Sequence, residues 1–375
     1  MDLNIDRSNW TKVRLGEVVE WYQKDIPNEL QSEQKIEYYI TASEIDGDEV
    51  NITRYKELSD GQKGPTITKH FEKGDLLLST RSVALRKAAI APVSGVTGEK
   101  LLVLRCAEGG RLNPKLMPFV FQSAHFWHYA QNSASGSVNK FTSWTKLAKY
   151  EFLLPPKDQQ AELAELLWTM DNTIEKKNKV LDFIQIAAEV FFEEAIERSR
   201  GEKVPLAKVL IPKKEKSQAP HFTAKYIGLE HIKPGENQCV EYVDSSNVQA
   251  QCNVITRGDL CYSKLRPYLD KAFIADFEAV STTELLIYDT KGVSKEYVLN
   301  HFHSRAFIKY ISNKGFGTKM PRVSHKIVGE YQIKLLADEN LVLNVMNKFQ
   351  STKEKLSKGI EKSKTLQKSI INQIF

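Results

Sequence analysis

DQQAELAELLWTMDNTIEKKNKVLDFIQIAAEVFFEEAIERSR, residues 158–200, is the stretch from which the rest of the chain can be read. No Pro or Gly interrupts it before Gly201. Its apolar residues fall at Leu163, Leu167, Met170, Ile174, Leu181, Ile184, Ala188, Phe191 and Ala195. The steps alternate between four and three, with one position skipped at Lys177. That is a heptad seam, the pattern of a coiled-coil helix. Pro155 and Pro156 precede it and Gly201 follows it, the expected start and stop of a helix. A helix from about Lys157 to Arg200 makes a rod of roughly 65 Å.

Similar sequence lies on both sides of this rod. GDLLLSTRSVALRKAAIA from Gly74 meets GDLCYSKLRPYLDKAFIA from Gly258, 184 positions later (258 − 74). Gly74, Asp75, Leu76, Ser79, Leu85, Lys87, Ala88, Ile90 and Ala91 all meet identical residues at that offset. Small shifts bring Tyr39-Ile40 onto Tyr226-Ile227, Ser123 onto Ser304, and KYEFLL onto EYQIKLL. A second rod is expected from about Asp338 to Phe375, on a weaker seam of Val345, Phe349, Leu356, Ile360, Leu366, Ile370 and Ile374. Lys353, Gly359 and Ser363 dilute it. Such a period is too long for a solenoid, so one whole module has been duplicated. The order is globular unit 1–154, rod 155–200, globular unit 201–336, rod 337–375.

Within the first unit, strands are expected at VRLGEVVEW, IEYYITASEI, Asp75–Ser79, Lys87–Pro92 and LLVLRC. MPFVFQSAHFWHYAQN has helical spacing, and SASGSVNKFTSW reads as a loop. The fold class is therefore α+β: two duplicated mixed α/β domains with two long helices. Each rod has one apolar stripe, so the simplest pairing is antiparallel, with a pseudo-twofold axis.

Composition fits a soluble globular protein, with 41% apolar and 27% charged residues. No apolar run is long enough to span a membrane. MDLNIDRSNW lacks the apolar core of a secretion signal. Cys106, Cys239, Cys252 and Cys261 show no paired spacing and read as reduced thiols. A net charge of +6 hints at an acidic partner without identifying one.

Catalytic signatures are absent from the sequence pattern. GVTGEK at Gly95 is a chance partial match to a phosphate loop and reads as a turn. Glu33-x-Lys35 lacks the second carboxylate of a nuclease. His301-Phe-His303 has no partner ligand in sequence and reads as a solvated helix face. What remains is basic loops at corresponding places. STRSVALRK offers Arg81, Arg86 and Lys87, and SKLRPYLDK offers Lys264, Arg266 and Lys271. SGSVNKFTSWTK offers Lys140, Trp144 and Lys146, and KGFGTKMPRVSHK offers Lys319, Arg322, His325 and Lys326. Lys and Arg neutralise phosphates, and Arg can bind guanine as a fork. The scaffold residues repeat while the tips diverge, as expected if two copies read two different targets. In FIQIAAEVFF, Phe183, Ile186, Val190 and Phe192 spread over more than one helix face, which calls for a cover from this chain or a partner.

The doubled GDLLLSTR and GDLCYSK segments, the Gly-rich loops, YEFLLPPKDQQAELAELLWTMD and the domain–helix–domain–helix order together resemble the specificity (S) subunit of type I restriction–modification systems. The second exit, IKLLADENLVL, lacks the Pro-Pro and Gln-Gln of the first, which leaves the start of the second rod open. The resemblance implies two target recognition domains, each binding half of a bipartite double-stranded DNA site. It implies a non-catalytic chain with no cofactor of its own. Two methyltransferase (M) subunits carrying S-adenosylmethionine dock on the helices for adenine-N6 methylation. Translocase-nuclease (R) subunits complete the restriction enzyme, and the location is cytoplasmic. A coiled-coil adaptor, or the specificity module of a related methylation system, is the alternative.

Overall fold

The computed structural model describes residues 6–22, 37–57, 67–137, 139–315 and 320–375. By its contacts the chain divides into two compact units, Met1–Lys179 with Ser357–Phe375, and Val180–Leu356. Both long helices cross that division. The central helix is Lys157–Arg198 and the C-terminal helix is Asn340–Ile374. The start of the second rod, left open by the sequence, thus falls at Asn340.

In the first unit an antiparallel sheet has the order Val19–Trp21, Leu101–Cys106, Leu76–Ser79, Ala88–Ile90. A second sheet joins Lys56–Glu57, Tyr38–Tyr39, Gly95–Gly98 and Ile67–Phe71. Side chains alternate across the strand Leu76–Ser79. Leu76 and Leu78 enter the main core with Leu15, Leu104, Phe119, Phe126 and Trp127, while Leu77 enters a smaller core with Ile40, Phe71 and Val103. A sheet buried on both faces explains the unbroken apolar run LLVLRC.

The second unit repeats this plan. Its sheet runs Leu210–Lys213, Leu285–Thr290, Leu260–Ser263, Ala272–Ile274. The register is the same: Leu76 faces Leu104 and Ile90, and Leu260 faces Tyr288 and Ile274. The repeated Gly-Asp has a local cause. Gly74 and Gly258 hold φ of +96° and +87°, which favours glycine. The next residue then caps the turn: the Asp75 carboxylate accepts from the Glu72 amide at 2.7 Å, and that of Asp259 from the Thr256 amide at 2.8 Å. Each carboxylate is also paired, Asp75 with Arg105 at 2.6 Å and Asp259 with Lys213 at 2.8 Å.

In the first unit the two long helices pack antiparallel. Gln367 Nε2 donates to the Leu167 carbonyl at 3.3 Å and Lys177 Nζ to Ser363 Oγ at 2.8 Å. The polar interruption of one seam therefore meets that of the other. In the second unit Phe191 and Phe349 pack with ring centroids 6.0 Å apart.

Some sequence expectations need correction. VRLGEVVEW is two strands, Thr11–Arg14 and Val19–Trp21, parted by a helical turn at Leu15–Val18. In IEYYITASEI only Tyr38–Tyr39 forms a strand among the described residues. The expected helix over residues 117–132 is two, Met117–Val120 and Ala124–Ser133, because Ser123 caps the second by accepting from the Phe126 amide at 3.1 Å. Gly95–Gly98 is a strand, with the turn just after it. Glu33 and Lys35 lie outside the described residues.

His301 is not on a solvated face. Its ring is buried, edge-on to Phe192 at 5.0 Å and Tyr297 at 4.8 Å, and its Nε2 has no hydrogen-bond partner. Burial holds the imidazole down at about 3, against an ordinary 6.5. The folded value lies below the unfolded one, so the unfolded chain binds the extra proton between them. The contribution is full above about pH 6.5 and is lost as pH falls, at up to about 1.4 kcal/mol per pH unit. Replacing His301→Phe is expected to flatten the fall in stability between pH 6.5 and 5, measured by urea unfolding of the full chain. An unchanged acid slope would show that other groups set it.

Candidate nucleic-acid interface

Where the strand Leu76–Ser79 leaves the core, three chain segments run side by side. The Thr80 amide donates to the Lys100 carbonyl and the Thr142 amide to the Thr80 carbonyl, both at 2.9 Å. Arg81 and Phe141 form a bridge beside them. In the second unit the Lys264 amide donates to the Glu284 carbonyl at 3.0 Å, the Val323 amide to the Lys264 carbonyl at 2.9 Å, and Leu265 bridges Arg322. This ledge joins the two basic loops that are separate in sequence. Its backbone is the same in both units. Its side chains are Lys100, Arg81 and Phe141 in one, and Glu284, Leu265 and Arg322 in the other.

Past each ledge comes one 3₁₀ turn, Val83–Leu85 or Pro267–Leu269. Ser82 and Arg86 flank the first with φ of 50° each, and Arg266 and Asp270 flank the second with φ of 48° and 49°. None of the four is glycine, so each holds a backbone conformation that costs of order 1 kcal/mol or more. The same strain at the same places in both copies marks a shape that the fold enforces.

The candidate side chains divide into free and committed groups. Arg81, Lys140, Arg266 and Lys326 are exposed. Arg86 is half-buried with Nη1 3.6 Å from Asp48 Oδ1, and Lys264 is half-buried. Arg322 donates from Nε to Glu284 Oε2 at 3.2 Å. By contrast, Lys87 Nζ donates to the Ala42 carbonyl at 2.5 Å, and Lys271 Nζ to the Leu229 carbonyl at 2.6 Å. These two lysines tie strand to loop, which is why they repeat. Lys146 Nζ donates to Ser135 Oγ at 2.6 Å and steadies the Ser/Gly loop. Trp144 packs against the first core. His325 lies 3.1 Å from the Tyr288 hydroxyl, and burial, then Lys214 and Lys264, lower its proton affinity. Lys319 lies outside the described residues. His303 Nδ1 is 2.7 Å from Asp270 Oδ1. Among the described residues no cluster of His, Cys, Asp and Glu could hold a metal ion.

The apolar face of the central helix also divides. Phe183 is 70% exposed, and Ile186 and Val190 are open as well, as is Val180. Phe192 is a correction: it is 2% exposed, packed in the second core beside Tyr297, and has no surface to give a partner.

Residues 7–185 match the family described as the type I restriction modification DNA specificity domain. This segment, 179 of the chain's 375 residues, carries that domain. The fold of the chain agrees with two solved structures. One, from work on complex assembly and conformational transition of the type I R-M system, is 15% identical, with a TM-score of 0.55 over 97% of both chains. The other is the type I restriction-modification system S subunit of M. genitalium, 13% identical, with a TM-score of 0.54 over 100% of this chain and 98% of that one. No curated protein matches this chain.

Sequence reading missed Lys100 and Glu284 of the ledge. They sit at the entry of a strand, well away from either basic loop in sequence. The one available signal was that positions 100 and 284 obey the same offset of 184 and carry opposite charge. The committed lysines give a direct test. Replacing Lys271→Met leaves the Leu229 carbonyl without its charged donor and is expected to cost about 1–3 kcal/mol. Denaturant unfolding of the full chain measures this. The base preference of the second domain is expected to stay unchanged; a changed preference with intact stability would return Lys271 to the contact surface.

Proposed function

We propose that residues 1–154 and 201–336 are two target recognition domains, each reading one half of a bipartite site in double-stranded DNA. The observation that carries this is the ledge: one backbone frame, present twice, with different side chains. Arg81, Arg86, Lys140 and Lys100 are the first domain's candidates for contact, and Lys264, Arg266, Arg322 and Lys326 the second's. Their positive charge suits phosphates, which fix position, while the differing tips suit base edges, which give sequence. The chain acts as the non-catalytic specificity subunit. Two methyltransferase subunits with bound S-adenosylmethionine supply the methyl transfer, to adenine N6, and translocase-nuclease subunits join for cleavage in the cytoplasm. The open stripe of Val180, Phe183, Ile186 and Val190 is an apolar surface suited to a methyltransferase subunit.

The experiment is to map methylation by the assembled modification complex. Changing Arg81→Ala is expected to relax or weaken one half of the motif only, and Arg266→Ala the other half. A base contact is worth about 1–3 kcal/mol of discrimination. A phosphate contact weakens all sequences alike and lowers the salt slope by about one unit. Equal damage to both halves from either change defeats the two-headed reading.

Both long helices cross the division between the units, which supports a role for them in setting the gap between half-sites. Four residues added to the central helix after Lys179 and four to the C-terminal helix after Leu356 lengthen each by roughly 6 Å and rotate it by a net 40° or so. The expected outcome is a motif with both halves unchanged and a gap longer by about one or two base pairs. An active variant with the original gap removes the helices as the ruler.

A further inference from the structure

We propose that Glu284 is a specificity-determining residue that holds Arg322 to read a guanine in the half-site of the second domain. The inference rests on the DNA-contacting role of the ledge argued above and names one base and one positioning group within it.

Both partners are fixed at their backbones. The Glu284 carbonyl accepts from the Lys264 amide at 3.0 Å, and its own amide donates to Thr282 Oγ1 at 3.3 Å. Arg322 bridges Leu265 on the other side of the same segment. Between these anchors Arg322 Nε donates to Glu284 Oε2. A guanidinium carries five N–H donors in a planar fork. With Nε engaged, the four on Nη1 and Nη2 remain, and these present an end-on pair. That pair matches the O6 and N7 acceptors of guanine in the major groove, the commonest specific contact made by Arg. The Arg322 side chain is 42% exposed against 25% for Glu284, so the guanidinium is the outer partner.

The carboxylate also decides between base and backbone. A surface made only to bind phosphate gains nothing from a negative charge beside its cation, because the carboxylate repels the phosphate. It does gain from one that fixes a long, rotatable side chain in a single direction, since ordering that side chain on binding is costly. The first unit serves as an internal contrast. The positions equivalent to Glu284 and Arg322 are Lys100 and Phe141 on the same backbone frame, and they form no such pair. Guanine reading by this device is therefore assigned to the second domain alone.

The test is methylation mapping by the assembled modification complex, with duplexes carrying each base at each motif position. Arg322→Ala is expected to cut discrimination for guanine at one position of one half-motif by roughly 10- to 100-fold. Glu284→Gln is expected to relax that same position, by roughly tenfold, with the unfolding midpoint and the other half-motif unchanged. Glu284→Asp is expected to restore part of the preference. If Arg322→Ala relaxes the position while Glu284→Gln does not, the positioning role is wrong and the ledge still reads DNA. If Glu284→Gln relaxes a different position, Glu284 contacts a base itself and the inference is overturned. If Arg322→Ala weakens all sequences alike, Arg322 holds a phosphate and the inference is again overturned. If Arg322→Ala, Arg266→Ala and Lys264→Ala all leave both half-motifs intact, the ledge itself is not the contact surface.

Discussion

Ile370, Ile371 and Ile374, close to the end of the chain, lie in the same apolar core as Leu15 and Leu76, close to its beginning. Ala164 and Leu167 of the central helix lie there too. The second main core likewise contains Phe192 from one long helix and Val342 and Leu343 from the other, around Leu260 and Tyr262. Each main core is built on both long helices. Burying one such side chain contributes about 1.5–3 kcal/mol, and a whole domain is stable by only about 5–15 kcal/mol. Three isoleucines from a distant helix are thus comparable to the net stability of the unit that they complete. The helices are structural members of both domains.

That dependence reaches the ledge in a few residues. Leu76 and Leu78 sit in the helix-filled core, the strand ends at Ser79, and the ledge begins at Thr80. In the other unit Leu260 and Tyr262 lead in the same way to Lys264. Lys87 and Lys271 hold the far end of each turn by donating to a loop carbonyl. Gly47 closes the first turn from outside, where a Cβ would stand 2.2 Å from the Leu85 carbonyl oxygen. Held at both ends, the four non-glycine residues at positive φ keep a shape that an isolated loop of this sequence would abandon.

The long elements were legible in sequence because they rest on periodicity. The heptad seam located the central helix to within two residues of its observed end at Arg198, and the repeat of Gly-Asp located the central strand of each sheet. Short elements were not. Val13–Trp21 alternates like one strand, yet a helical turn at Leu15–Val18 lets Leu15 and Val18 both reach the core. For the candidate site, the sequence pointed to loops and left the state of their side chains illegible. Lys87, Lys271 and His325 look like any basic residue in sequence, but their polar groups are engaged within the fold. Phe192 differs from Phe183 only by where a heptad turn points it, and one is buried while the other is bare. Glu284 carries the wrong charge for a search confined to basic residues.

The ledge separates what holds its shape from what faces outward. Its shape comes from amide-to-carbonyl bonds at Thr80 and Lys264, which any residue but proline can make at the donor. Its outward side chains, Arg81 and Phe141 in one unit and Arg322 in the other, lie outside the cores. Substitutions at such exposed positions usually change stability by less than about 0.5 kcal/mol. On the reading proposed for the ledge, a change of base contact there, at about 1–3 kcal/mol, exceeds that several-fold. The two copies differ accordingly: Leu76 and Leu260 are identical and so are Lys87 and Lys271, while Lys100 corresponds to Glu284 and Phe141 to Arg322 on the same frame. On that reading, base preference can move while the core, the strained turn and the helices stay where they are.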